Sequence, residues 1–405
     1  MSPEWIPLLS SDRVVESAWK VILDVASELE RFEGETAPAT HYGYEDALLY
    51  CYLAAALDDK KWVDLAVERL NSAIETAAEL DLSLYGGLPG LGWMIEHASK
   101  VLSNTSAPDD DPSDPGDDLL TIDTAIFRRL ESESWAGRFS LIDGLVGIGV
   151  YFHERLPAPT ALRGIELVLD RLEDISQPTE AGIVWSSNQE HSLSGPEGTH
   201  QCRSYDGSVA YGVPGILHFL AETLSYGIQK DRVAEMFDSA TKGFLGARSA
   251  MKPKSGGGLP QKVCWCCGEL AVAAVMAQIA DRTGREDYRR LSNNELELLL
   301  SNPEYVSGSG DDSLCFGVIG TAHIYNRLYQ VGQDMRFREM ALTLLERAVV
   351  PQRHYVSSRL SLRGSSLLTG KVGLALGLLA AVSSVEPQWD RLMVMSGRNH
   401  AEVLW

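Results

Sequence analysis

Three of the chain's six cysteines fall within KVCWCCG (Lys262 to Gly268), as Cys264, Cys266 and Cys267; the others are Cys51, Cys202 and Cys315. Adjacent cysteines are poor disulfide partners sterically, so clustering in a chain of 405 residues points to metal or redox chemistry. The alternative is ordinary packing, because a free cysteine is a common small core residue. Phase favours the first without removing the second. Cys266 and Cys315 each stand two residues before a glycine, Gly268 and Gly317, that opens a long apolar stretch. They therefore occupy equivalent places in consecutive copies of a repeat, as neighbours around its axis. Two thiolates on rigid helix starts suit zinc, and a catalytic zinc requires three protein ligands and an open fourth position.

The repeat behind this phase is a pair of glycines three residues apart, followed by a long apolar helical stretch. It reads YGGLPG (Tyr85 to Gly90), LIDGLVG (Leu141 to Gly147), AYGVPG (Ala210 to Gly215), LCFGVIG (Leu314 to Gly320) and LTGKVG (Leu368 to Gly373). WCCGELA (Trp265 to Ala271) is a sixth copy whose second glycine has become alanine, and HYGYEDALLY is a weaker one at Gly43. The first glycines, Gly87, Gly144, Gly212, Gly268, Gly317 and Gly370, are spaced by 57, 68, 56, 49 and 53 residues, room for two helices and two loops.

Each turn opens a helix that is apolar nearly all round, the mark of burial on both sides. Pro89 and Pro214 sit where a first-turn proline is tolerated. Between these helices run amphipathic ones, with stripes at Leu162, Ile165, Val168, Leu169 and Leu172, and at Phe337, Met340, Ala341, Leu344, Leu345 and Ala348. Alternating buried and half-exposed helices have one economical closed solution, a double ring. The expected fold is all-α, an α/α toroid of six to seven repeats forming one domain over residues 1–405. All the glycine turns then gather at one end, where helix N-termini carry partial positive charge and lower thiol pKa values.

With 45% apolar and 22% charged residues the chain can bury a large core, which excludes disorder, collagen and small disulfide scaffolds. Its net charge of −21 repels phosphate backbones and anionic headgroups, so nucleic acid is excluded as a partner. The apolar run Val372 to Val382 falls short of the roughly 18 residues of a membrane span. The start, MSPEWIPLLSSDR, lacks a basic segment followed by an apolar one, and the reading is a cytoplasmic protein. Ser103 to Asp118 reads as a solvated acidic loop. Ala250 to Lys262 and Val184 to Gly207 lie just before glycine turns, where a substrate loop would be placed.

In this order, YGGLPGLG, IDGLVGIG, AYGVPGIL, WCCG, LCFG and LLTGKVGLALGLL resemble the lanthionine synthetase C-like family over nearly the whole chain. The resemblance implies an α/α toroid with Zn2+ at its mouth, acting on a dehydrated precursor peptide supplied by a dehydratase partner. There the metal activates a peptide cysteine, which adds to dehydroalanine or dehydrobutyrine to close a thioether ring, and an acid protonates the resulting enolate. It also implies that the family's zinc cysteines, in its W-C-Y-G and L-C-H-G turns, fall on Cys266 and Cys315.

The remaining family positions depart from the pattern. The histidine ligand falls on Phe316, the catalytic histidine on Tyr211, the first-half aspartate on Ser140 and the arginine on Lys262. Cys267 holds the phase of Phe316 and is the candidate third metal ligand, with His200 and Cys202 on the preceding loop as further possibilities. Tyr211 and Lys262 are the candidate catalytic residues, one to donate the enolate's proton and the other to stabilise its charge. His218 and His323, three residues past their second glycine, read as hydrogen-bonded core histidines. Two other functions compete: a peptide-binding subunit that has lost its chemistry, and a carbohydrate-active toroid using Asp143, Asp206 and Glu269.

Overall fold

Gly87, Gly144, Gly212, Gly268, Gly317 and Gly370 all serve as N-caps, each in extended backbone, of helices that begin on the next residue. The computed structural model describes residues 4–31, 44–103, 105, 116–132, 134–185, 191–195, 198–202, 207–250, 263–302, 312–349 and 366–398. In chain order its helices are α1 (Asp12–Arg31), α2 (Glu45–Leu57), α3 (Lys60–Glu75), α4 (Leu88–Leu102), α5 (Gly116–Leu130), α6 (Leu145–Arg155) and α7 (Pro159–Asp174). They continue as α8 (Val213–Ser225), α9 (Lys230–Ala250), α10 (Glu269–Thr283), α11 (Glu286–Leu300), α12 (Val318–Gly332), α13 (Met335–Val349) and α14 (Lys371–Val382). Two small antiparallel hairpins, β1 (Gln177–Pro178) with β2 (Ile183–Val184) and β3 (His191–Gly195) with β4 (Gly198–Cys202), interrupt them.

The expected alternation holds. In α8 every residue from Val213 to Thr223 is buried, whereas α13 buries only Phe337, Ala341, Leu344, Leu345 and Val349. The even-numbered helices α2, α4, α6, α8, α10, α12 and α14 are the buried set among the described residues. Buried α2 follows directly on the weak copy at Gly43, which itself lies outside the described residues. At two of the pairs close approach requires the second glycine: a Cβ at Gly147 or Gly320 would run into the Leu141 or Leu314 carbonyl, whereas α10 forms with Ala271 at that place. Of the anticipated acidic loop, Gly116–Asp118 form instead the first turn of α5, where Asp117 and Asp118 suit the positive end of the helix dipole. Residues 104 and 106–115 lie outside the described residues.

The chain divides into two compact units. The first comprises Met1–Asp81, Gly86–Leu119 and Val306–Trp389. In it α14 packs on α1, α2 and α12, and α2 packs on α3 and α4. The second comprises Leu82–Tyr85, Leu120–Tyr305 and Asp390–Trp405, with α8 between α6 and α10, and α7, α9 and α11 each backing the buried helix before it.

Backbone hydrogen bonds run from turn to turn within each unit. In the second, Leu84 N donates to Ile142 O (2.9 Å), Leu141 N to Ala210 O (3.0 Å) and Ala210 N to Cys266 O (3.2 Å). In the first, Cys315 N donates to Leu368 O (2.8 Å) and Leu367 N to the buried Glu45 carboxylate (2.6 Å). Burial pushes the Glu45 carboxyl up to about 7, against the Leu367 N–H, which lowers it.

Both candidate core histidines are buried, His218 with a hydrogen-bond partner as anticipated and His323 in a ring stack. His218 Nε2 meets Gln278 Oε1 at 3.3 Å, and His323 stacks on Trp389 with ring centroids 4.6 Å apart. The chain's last described segment is tied into the second unit through carbonyls. Tyr85 Oη donates to Leu392 O, Trp265 Nε1 to Met393 O and Gln278 Nε2 to Val394 O. Arg398 Nη1 donates to the carbonyls of His153, Glu154 and Leu156 at the C-terminal end of α6, where the His153 carbonyl also accepts the Leu156 N–H.

Candidate metal centre

The turns share one local design. The residue four before the marker glycine is Ser140, Ser208, Ser313 or Ser366, and its hydroxyl accepts the N–H of the residue three further on, Asp143, Tyr211, Phe316 or Thr369. Ser83 holds the same place before Gly87. In the turn before α10 that place belongs to Cys264, and the backbone is unchanged: Gly268 N donates to Cys264 O as Gly212 N does to Ser208 O.

The turn is short enough to bring three thiols together. Cys264 Sγ lies 3.8 Å from Cys266 Sγ and 3.2 Å from Cys267 Sγ, and Cys266 Sγ lies 3.7 Å from Cys267 Sγ. Cys264 and Cys266 are buried and Cys267 is half-buried. Thiolates about 2.3 Å from a tetrahedral zinc stand about 3.8 Å apart. Two of the three separations already match that edge, and the third would open by about half an ångström. Soft sulfur donors at this spacing fit zinc, the metal the resemblance implies.

Cys266 and Cys315 hold the same local place, both buried and two residues ahead of an N-cap glycine, Cys266 in the second unit and Cys315 in the first. Phe316, at the histidine-ligand position, is buried with its N–H on Ser313 Oγ. Tyr211 is buried in the turn whose Ala210 N–H donates to Cys266 O, so its turn is hydrogen-bonded directly to the thiol turn. Lys262 and Asp206 lie outside the described residues, as do the side chains of His200 and Cys202, whose backbones belong to β4.

Ser140, at the family's aspartate position, is bonded to a carboxylate in its own turn: Asp143 Oδ1 accepts from Ser140 Oγ and its Oδ2 from Arg138 Nη1, both at 2.5 Å. Glu269, in the first turn of α10, is paired with Arg248 at 2.8 Å. Sequence reasoning passed over Cys264, although the serine recurring at its place is legible once the copies are aligned on their glycines.

Toward the C-terminal ends of α6, α8 and α10 the second unit buries a cluster of charge. Glu222 Oε1 accepts from Tyr226 Oη (2.7 Å) and Arg398 N (3.3 Å) and lies 3.8 Å from Arg282 Nη2. Its Oε2 lies 3.5 Å from His153 Nδ1 and 3.8 Å from His218 Nδ1. Burial alone would raise this carboxyl, but Arg282, His153 and His218 outweigh it and hold it well below the usual carboxylate range. His218 is pushed down to about 4, chiefly by burial. These groups are drawn from three helices and the Asp390–Arg398 segment.

Among the described residues, no helix is long and apolar enough to cross a membrane. The solved structure of nisin cyclase is similar to this chain with a TM-score of 0.67 at 15% sequence identity, covering 95% of this chain and 98% of that one. The match shows a shared fold, the all-α, α/α toroid class. No curated protein matches the sequence. The profile of the lanthionine synthetase C-like proteins matches residues 47–394, and the chain belongs to that family.

Proposed function

We propose that the chain is a lanthionine-synthetase-like peptide cyclase, which adds a cysteine thiol of a dehydrated precursor peptide to dehydroalanine or dehydrobutyrine and closes a thioether ring. The observation that carries this reading is the trio of sulfurs in the turn before α10, at the family's first zinc-cysteine position. Cys266 and Cys315 are the two family ligand positions that keep a thiol, and Cys267 is the candidate third. Zinc, when bound, supplies the positive charge that keeps a substrate thiol deprotonated at neutral pH.

The chain's own residues handle the rest. As the sulfur bonds to the β-carbon, the alkene π pair moves toward the neighbouring carbonyl, and Lys262 offsets the charge of that enolate. Tyr211, hydrogen-bonded through its turn to the thiol turn, delivers a proton to the α-carbon and recovers one from solvent. Such a protein works with a dehydratase that prepares its peptide, in the cytoplasm.

Phe316, Ser140 and Tyr211, at the places of a ligand, an acid and a catalytic histidine, favour one other reading, a peptide-binding subunit without catalysis. A synthetic peptide bearing one dehydroalanine and one cysteine separates the two. Ring closure leaves its mass unchanged but removes the free thiol, so the cyclase protects it from N-ethylmaleimide when about one equivalent of zinc is bound. Full alkylation in the presence of zinc-loaded protein refutes the cyclase.

A further inference from the structure

Cys264 departs from the repeat at a cost to the turn. In four other copies a serine hydroxyl at this place accepts a backbone N–H, and a thiol sulfur is a weaker acceptor, so the change sacrifices part of that bond. The departure falls in the one copy that also carries cysteines at both of the last two places before the glycine. Those places are held elsewhere by pairs such as Ile142 and Asp143, Ala210 and Tyr211, or Leu368 and Thr369. Packing explains one buried thiol here; it does not explain three, one of them half-buried, with their sulfurs facing one another at 3.2 to 3.8 Å.

We propose that Cys264 and Cys267 join Cys266 as ligands of one metal ion, a three-sulfur site contained in the single turn that opens α10. The inference rests on the zinc reading above and changes its ligand set. The two extra thiolates stand in for the histidine that is absent at Phe316, and Cys315 is not needed to retain the ion. An all-sulfur set selects a soft or borderline cation such as Zn2+ over Mg2+ or Ca2+. Three protein sulfurs would leave a tetrahedral ion one further position for a ligand that the turn does not supply. The ligands come from one segment of chain, so the site needs no closure of a long loop to assemble.

Single substitutions in the full-length chain, purified under reducing conditions, test the ligand set by zinc content and by Co2+ uptake, read as sulfur-to-metal charge-transfer absorption. Cys264→Ser installs the residue that the other copies use, so the fold is kept, and circular dichroism and Tm verify it. The expected result is that Cys264→Ser and Cys267→Ser each weaken zinc retention by more than about tenfold and diminish the Co2+ absorption, while Cys315→Ser does neither.

Zinc content and Co2+ absorption unchanged in Cys264→Ser and Cys267→Ser, but lost in Cys266→Ser, overturn this ligand set and leave the zinc reading standing. A wild-type protein that takes up neither metal overturns both. Loss of metal in Cys315→Ser, alongside the loss in Cys264→Ser and Cys267→Ser, overturns a site contained in the single turn.

Discussion

Replacing Glu222 by glutamine removes one negative charge from the centre of the second unit and changes almost nothing in shape. At the 3.8 Å separation from Arg282, and with an effective dielectric constant of about 20, the lost attraction is about 4 kcal/mol. The bonds from Tyr226 Oη and Arg398 N each weaken by about 1 kcal/mol when their acceptor becomes neutral. Relief of the carboxylate's own burial cost offsets part of this, and a net loss of about 4 kcal/mol matches the usual effect of removing one partner from a buried ionic cluster. For a cooperative unit of about 200 residues that is a fall in Tm on the order of 10 °C.

Scanning calorimetry at pH 7 measures the fall, and a pH series tests its cause. A carboxyl held below its unfolded value of 4.5 stabilises the fold above that pH, and the contribution disappears as pH falls through the folded pKa. The gap between wild type and Glu222→Gln should therefore close progressively below pH 4.5. A gap of less than about 2 °C at pH 7, or one equally wide in acid, refutes the reasoning.

Glu45 has the opposite sign: its folded pKa of about 7 lies above 4.5, so its contribution is complete below pH 4.5 and is lost as pH rises through 7, by up to about 3 kcal/mol. Glu45→Gln keeps an acceptor for Leu367 N–H and should remove this slope from urea unfolding free energies; an unchanged slope assigns it to other groups. Gly320→Ala drives a Cβ into the Leu314 carbonyl and should cost about 2 kcal/mol despite alanine's better helix propensity. Gly332→Ala in the same helix meets open space and should cost nothing, and equal losses at the two sites would remove the close-approach argument. Tyr211→Phe should lower the cyclisation kcat by about a hundredfold with KM and zinc content unchanged, whereas a change in KM alone assigns Tyr211 to binding.

Much of this protein is written locally. The glycine spacing sets where each buried helix begins, because the close approach at Gly147 and Gly320 admits no side chain, and the all-round apolar runs of α8 and α14 leave water no face to occupy. Those short-range features were sufficient to read the helix alternation and the family from the sequence.

What required tertiary structure is the meeting of groups whose positions in the chain carry no shared pattern. Glu222 and His218 share α8, but Arg282, His153 and Arg398 come from α10, α6 and the Asp390–Arg398 segment, and only packing makes one carboxylate answer to all of them. Cys264 lies between the two cases. Its serine counterparts are visible in the sequence, but that its sulfur faces those of Cys266 and Cys267 depends on the backbone path of one turn, which residue spacing alone does not specify.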